Sequence, residues 1–374
     1  MLTALLGAVE SVSENSSASE NLPVSSFATS ISIGGSTYTA IPMGDLGDPA
    51  NTFWQLFALS GGTSRWRLET PTGVADNGGL VIEGGAPSAL TVAFRPSNDL
   101  KFTPIAVLGA GSSWSSAGLI PAGLVAAPDA FVGSAKTSYA AVSEGGGAVW
   151  RSKSGGTEWA PIGSARSLTA IASGSCRVVG VRALATNSGL PLYTGATCAS
   201  GDRAGIFEFS DSSWRAVGPK LGALGRHASR AVLTLAASSG SLSAVVATST
   251  SSKTDLLIAH STSAGASWST SPTLRLASSA SIVSVGSVGA AGAYVMWRAS
   301  DLYGAISTGA GRWAVLPKLP GAALTLALPG GASGPIFVLG GHHSTFESWR
   351  LDPRTRRWVE AETIAVPIIY GSSG

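Results

Sequence analysis

Between residues 229 and 273 the chain falls into four short runs in which apolar and small polar residues alternate: "SRAVLTLAAS", "SLSAVVATS", "DLLIAHS" and "SWSTSPTL". The stretch 321–361 reads the same way, as "AALTLALPGG", "GPIFVLGG", "FESWRL" and "RWVEAE". Alternation with a period of two, broken by Gly, Ser and Pro clusters, predicts strands joined by tight turns.

The pattern repeats. Trp66, Trp114, Trp159, Trp214, Trp268, Trp313 and Trp358 each follow a small or polar turn and open a short strand, at spacings of 48, 45, 55, 54, 45 and 45 residues. The flanks agree, as in "SGGTSRW", "SGGTEW", "SAGASW" and "TGAGRW". Four antiparallel strands in each of seven successive units predict an all-β fold: a seven-bladed β-propeller of four-stranded antiparallel blades. A pair of β-sandwiches is the rival, but it would not set a Trp after the same turn seven times. With strands named a to d from the centre outward, each repeated Trp opens strand d, where its ring packs between blades.

The last unit ends before "AVPIIYGSSG", which begins at Ala365. The interval from Trp358 predicts that this segment closes the ring as strand a of the first blade, with "FWQLFAL" and "RWRLE" as strands c and d. Residues 27–374 form one domain on this reading, and the Ser-rich residues 1–26 a flexible lead-in.

The turns before the tryptophans carry a family likeness. "SKSGGTEW" (152–159) and "STSAGASW" (261–268) resemble the Asp-box, or BNR, repeat of sialidase-like propellers and other exported glycan-related proteins. Ser152, Gly156 and Trp159 match in one copy, and Ser261, Gly265 and Trp268 in the other. Ser154 and Ser263 stand where the motif has Asp, so both copies are degenerate. The last unit, "IFVLGGHHSTFESWRLDPRTRRW", is similar to a kelch blade, with Gly340, Gly341, Asp352, Pro353, Thr355 and Trp358 in the matching places. The resemblance implies an exported propeller. It does not carry the activity, because Asp boxes sit on the rim, away from the channel.

Composition narrows the function. The 374 residues are 44 % hydrophobic and 12 % charged, with 48 Gly, enough to bury a large core. Net charge is +3 and only 6 of the 24 basic residues are Lys, with no basic run that would track phosphates, so nucleic acid is not an expected partner. No apolar run approaches the ~18–20 residues that span a bilayer. The start, "MLTALLGAVE", lacks the charged flank of a signal peptide, which suits an exported chain whose signal or anchor is absent. Cys176 and Cys198 are equidistant from the "TNSG" turn, so they face each other across a hairpin where a disulfide is feasible. Two independent buried thiols are the alternative.

A sialidase-like hydrolase would need three arginines, a Tyr–Glu pair and an acidic donor at the inner strands. The inner-strand candidates "LTAIAS", "AVLTLAAS", "SIVSVGS" and "ALTLALPGG" carry almost no ionisable groups. No tyrosine pairs obviously with a glutamate, and Glu83 is the one acid expected near an inner-strand end. His342 and His343 are adjacent and would point opposite ways on a strand, so neither a metal nor another cofactor is expected.

Scarce charge marks the loops of one face, where strand b turns to c and strand d leads to the next a. There lie Arg95, Asp99, Asp202, Arg203, Asp255, Arg298, Asp301, His342 and His343, joined by Arg226, His227 and Arg230 from the long loop "GPKLGALGRHASR". Solvated turn charges would look the same in sequence. The expectation is a monomeric, exported recognition or scaffold module that binds a protein or a cell-surface glycan through this face. The alternatives are a sialidase-like glycan hydrolase and a structural part of an envelope assembly.

Overall fold

The computed structural model describes residues 29–367, apart from residues 34, 46–51, 62, 64, 71–79, 86–88, 95–102, 109–112, 121–129, 134–136, 143–146, 154–157, 187–190, 239, 278–279, 288–291 and 308–311. These residues are overwhelmingly in antiparallel strands, arranged in succession along the chain. The first sheet is β1 (Thr29–Ile33), β2 (Ser36–Gly44), β3 (Thr52–Leu59) and β4 (Trp66–Leu68). The second is β5 (Leu80–Gly85), β6 (Ala89–Phe94), β7 (Thr103–Leu108) and β8 (Trp114–Ile120). The third is β9 (Ala130–Gly133), β10 (Ser138–Val142), β11 (Ala148–Lys153) and β12 (Glu158–Ser164). Each is ordered as the chain runs, because short turns make every strand the hairpin partner of the one before it.

The next stretch departs from the expected pattern. β13 (Val178–Ala185), β14 (Leu192–Cys198), β15 (Gly205–Ser210) and β16 (Ser213–Ala216) share one nine-stranded sheet with β17 (Ser229–Ser238), β18 (Ser241–Ser249), β19 (Thr254–Ser261), β20 (Ser269–Thr270) and β21 (Leu274–Leu276). The two groups are joined where β14 pairs with β17 at Thr197–Ala231 and Cys198–Arg230. Two further four-stranded sheets follow. One is β22 (Ser281–Ser287), β23 (Ala293–Arg298), β24 (Leu302–Ser307) and β25 (Ala314–Val315), and the other β26 (Ala323–Ala327), β27 (Phe337–His342), β28 (Thr345–Asp352) and β29 (Arg357–Ala365).

The arrangement is propeller-like. The leading strands lie against one another in sequence: β1 on β5, β5 on β9, β9 on β13, β13 on β17, β17 on β22, β22 on β26, and β26 on β1. Apolar clusters fill the spaces between neighbouring sheets. Phe57, Trp66, Phe337 and Phe346 join the first sheet to the last, with the Phe57 and Phe346 rings stacked at 3.9 Å. Each repeated Trp stands at or next to the start of the outermost strand, as the spacing predicts.

Two sequence expectations are corrected. The first-strand place in the first sheet is filled by β1, from the run "FATSISI", and Ala365 belongs to β29 in the last sheet, so the C-terminal strand does not supply it. Ser30 and Ser32 on β1 pair with Thr39 and Thr37 on β2, through hydroxyl bonds of 3.0 and 2.9 Å. Residues 368–374 lie outside the described part, as does the lead-in 1–26. Second, "LTAIAS" is not an inner strand: residues Ala165–Ala172 form helix α1. Ser164 and Ser167 make a reciprocal capping box, and Ala165, Leu168 and Ala172 put one apolar stripe against the core. No helix among the described residues is long and apolar enough to cross a membrane.

Candidate functional site

Cys176 and Cys198 form a disulfide that ties the approach to β13 to the end of β14. Around it the loops at this end are bound to one another through their backbones. The amides of Asp202 and Arg203 both donate to Ser175 O at 3.0 Å, Leu221 N donates to Asp202 O at 2.8 Å, and Leu224 N to Gly201 O at 3.0 Å. Gly201 has φ +115° and a Cβ there would meet Ser175 O at 2.1 Å, so this turn requires glycine.

Two arginines pin the assembly from within. Arg203 Nη1 donates to Gly218 O at 2.8 Å. Arg230 is only 3 % exposed and donates from Nη1 to Arg203 O and from Nη2 to Gly222 O, both at 3.2 Å. Burial lowers its pKa, and the nearby Asp202 carboxylate opposes that shift. Arg230 thus braces the loop architecture. Arg226 and His227 are exposed on the same loop and make no side-chain hydrogen bond among the described residues.

The other anticipated site residues are spread over separate sheets. Burial pushes the Asp255 carboxyl up, but bonds from Lys253 (2.8 Å) and Arg275 (3.0 Å) outweigh it and hold the pKa below its ordinary value. Asp301 pairs with Lys318 at 2.8 Å, beside the exposed Arg298. His342 and His343 are exposed, their rings 4.0 Å apart edge to face, and His343 O accepts the Gly44 amide. Arg95 and Asp99 lie outside the described residues. The structure thus brings together Asp202, Arg203 and Arg230, with Arg226 and His227 on the same loop, and aligns Asp255 with Arg230 across β18 of the same nine-stranded sheet, while Arg298, Asp301 and the His pair belong to other sheets.

A second feature was missed in sequence. A cavity of about 1050 Å³ opens at the opposite end of the sheets, among the inner-strand ends, the a–b turns and the c–d turn of the first sheet. Its lining includes Ser30, Ser32, Thr37, Thr186 and Thr234, and among the described residues Arg350 is the only charged side chain in it. Beneath lies a buried hydroxyl network: Tyr294 Oη is 3.2 Å from Thr325 Oγ1, which is 2.8 Å from Ser284 Oγ. The signal was present, since the inner runs "AVLTLAAS", "SIVSVGS" and "ALTLALPGG" place Ser or Thr among apolar residues.

A Tyr–Glu pair does exist, contrary to the sequence reading: Tyr193 and Glu208 are cross-strand partners on β14 and β15. It is buried between sheets, away from the cavity lining, and Arg215 holds the Glu208 carboxylate at 2.8 Å. Glu83 lies in β5. No group of three or more His, Cys, Asp and Glu side chains able to hold a metal occurs among the described residues.

Neither a protein-family model nor a curated protein sequence matches the chain. Among solved structures, a prolyl endopeptidase is similar at 14 % identity and TM-score 0.49, over 94 % of this chain and 51 % of that one. This chain therefore spans about half the length of that enzyme. A lectin of Aleuria aurantia, solved with Fucα1-6GlcNAc, matches at 16 % identity and TM-score 0.41 over 78 % of this chain and 97 % of its own. YCF48 bound to D1 peptide matches at 14 % and 0.43, over 85 % and 96 %. At these values the likeness establishes neither a family nor a ligand.

Proposed function

We propose that this chain is an exported, monomeric, seven-bladed β-propeller acting as a recognition module, with the nine-stranded sheet counting as two blades. The succession of antiparallel sheets, with each leading strand against the next and the last against the first, supports that count. The turns at 152–159 and 261–268 are read as degenerate Asp boxes and the last sheet as a kelch-like blade. The module binds a protein or a cell-surface glycan through the face of b–c and d–a loops, and catalysis is not its role. One observation carries the reading: a disulfide-braced loop platform, with Arg203 and Arg230 turned inward, leaves Arg226 and His227 outward and unengaged. A preorganised polar surface binds without first losing loop entropy.

The test is an R226E/H227E variant, compared with wild type on a glycan array and in affinity capture from a cell-surface extract. The variant should lose the captured ligand while its Tm is unchanged. Undiminished capture would place recognition elsewhere on the molecule.

A further inference from the structure

The cavity at the far end of the sheets from this platform is walled largely by hydrocarbon. Ile31 and Ile33 on β1, Ala237 on β17 and Val285 on β22 line it and are only half-buried, so each keeps apolar surface open to the space between the sheets. Leu328, just past β26, and Phe337 on β27 continue the wall. Hydrocarbon left facing water is stabilised by being covered.

Hydroxyl groups in the lining are mostly spent on the protein itself. Ser32 and Thr37 bond each other at 2.9 Å, Ser30 bonds Thr39 at 3.0 Å, and Tyr294 Oη is 3.2 Å from Thr325 Oγ1 in the network beneath. A sugar, or a peptide with its backbone amides, would give up water for walls that return few hydrogen bonds. An alkyl chain has no such bonds to lose.

One charge faces this hydrocarbon. Arg350 lines the cavity, is exposed and has no ion-pair partner among the described residues. It is the cross-strand partner of Phe337, so guanidinium and ring stand side by side on one face of the last sheet. Asp352 feels the Arg350 charge, but its carboxylate accepts from Arg354 N at 2.8 Å and from the Thr355 hydroxyl at 2.9 Å, and so is committed to its own turn. A guanidinium can take a carboxylate through two parallel hydrogen bonds. With a single guanidinium, the cavity asks for one carboxylate, and the wall asks that the rest of the ligand be hydrocarbon. At about 1050 Å³ the space stands at the upper end of the ~300–1000 Å³ usual for small-ligand sites, which are likewise mostly apolar with a few placed polar groups.

We infer that the cavity binds a fatty acid, its alkyl chain against Ile31, Ile33, Ala237 and Val285 and its carboxylate on Arg350. The site is separate from the Arg226 platform and does not depend on it.

Calorimetry on the full chain would use four probes, all at submicellar concentration: decanoate, decanol, acetate and an N-acetylated Leu-Leu-Val peptide with a free carboxylate. Decanoate should bind at least about tenfold tighter than each of the other three, since only it supplies both the chain and the charge-assisted bond. R350Q should bring decanoate to the affinity of decanol or below it and leave decanol itself unchanged, at the wild-type Tm. I33T, which exchanges wall hydrocarbon for a hydroxyl, should weaken decanoate and decanol alike, severalfold. The R226E/H227E protein should bind decanoate as wild type does. No decanoate binding at millimolar concentration, decanol or the peptide bound as tightly as decanoate, decanoate affinity indifferent to R350Q, or its loss in R226E/H227E would each overturn the inference.

Discussion

The indole Nε1–H of Trp268 donates to the backbone carbonyl of Val217, 51 residues earlier and at the end of the preceding set of strands, at 2.7 Å. Trp214 does the same to Ile162 O at 2.7 Å, and Trp358 to Pro317 O at 3.4 Å. In these three units the repeated tryptophan is thus a tie to the preceding unit as well as a filler, whereas the buried indole N–H groups of Trp66 and Trp313 have no hydrogen-bond partner among the described residues. The turn before Trp268 is arranged to hold it: Ser261 Oγ accepts from Gly265 N at 2.9 Å, and Ser263 Oγ accepts from Ser267 N at 2.9 Å. A serine there does the accepting that a carboxylate would do.

Trp268→Phe and Trp214→Phe should each cost about 1–3 kcal/mol, because each leaves a carbonyl between units without its donor. Urea unfolding with an unchanged m-value would measure the loss. Stability equal to wild type in both variants would show that the ties contribute nothing.

Gly286→Ala should destabilise the channel side of the fold. A Cβ at Gly286 would stand 2.4 Å from the ring of Tyr294, which is 2 % exposed and hydrogen-bonded to Thr325. The ring cannot retreat without leaving that network, so overpacking of about 1–3 kcal/mol is expected, read as a lowered Tm. A variant that melts with the wild type would mean the ring has room to move.

Stability should decline in alkali. Burial raises the pKa of both Tyr193 and Tyr294, and the Glu208 carboxylate adds to the effect at Tyr193. Above the ordinary tyrosine value of 10.0 the unfolded chain gives up protons that the folded one retains, so unfolding gains ground as pH rises. Tyr193→Phe should flatten the fall in Tm between about pH 9 and 11, on the order of one unit either side of that value. A fall as steep as that of wild type would remove Tyr193 from the account.

Loss of the disulfide should be felt as stability and as loop order. Cys176 and Cys198 close a loop with a sequence separation of 22, for which chain entropy suggests about 3 kcal/mol. C176A/C198A should unfold at lower denaturant and exchange the Asp202, Arg203 and Leu221 amides faster, since these close the platform beside the bridge. Unaltered exchange would show that Arg230 alone suffices to hold it.

Much of the architecture was written in spacing. Trp66 to Trp358 mark the outer strands because only a large ring can fill the widening gap between units, and the Cys176–Cys198 bridge forms as the spacing about the turn suggests, although two register shifts make Val178 the ladder partner of Cys198 and leave Cys176 just ahead of β13. What escaped had a tertiary origin. "LTAIAS" is short enough to read as a strand, and its helical state depends on the Ser164–Ser167 cap and on the core that receives Leu168. Arg230 counted as a surface charge, yet its burial follows from carbonyls supplied by Arg203 and Gly222, distant in sequence. The cavity was invisible for the same reason: it is lined by residues from several separated sheets, each unremarkable where it stands.

The pairing of β14 with β17 makes the molecule mechanically uneven. Apart from the single Gly44–His343 bridge between the first and last sheets, neighbouring sheets among the described residues meet mainly through side chains, which can slide and separate contact by contact, whereas Thr197–Ala231 and Cys198–Arg230 are joined as a ladder through the backbone beside a covalent bridge. Residues 176–276 should therefore open as one unit and last, with the ring yielding first at a seam made only of side chains. A chain pulled or heated would keep its loop platform after its channel had come apart.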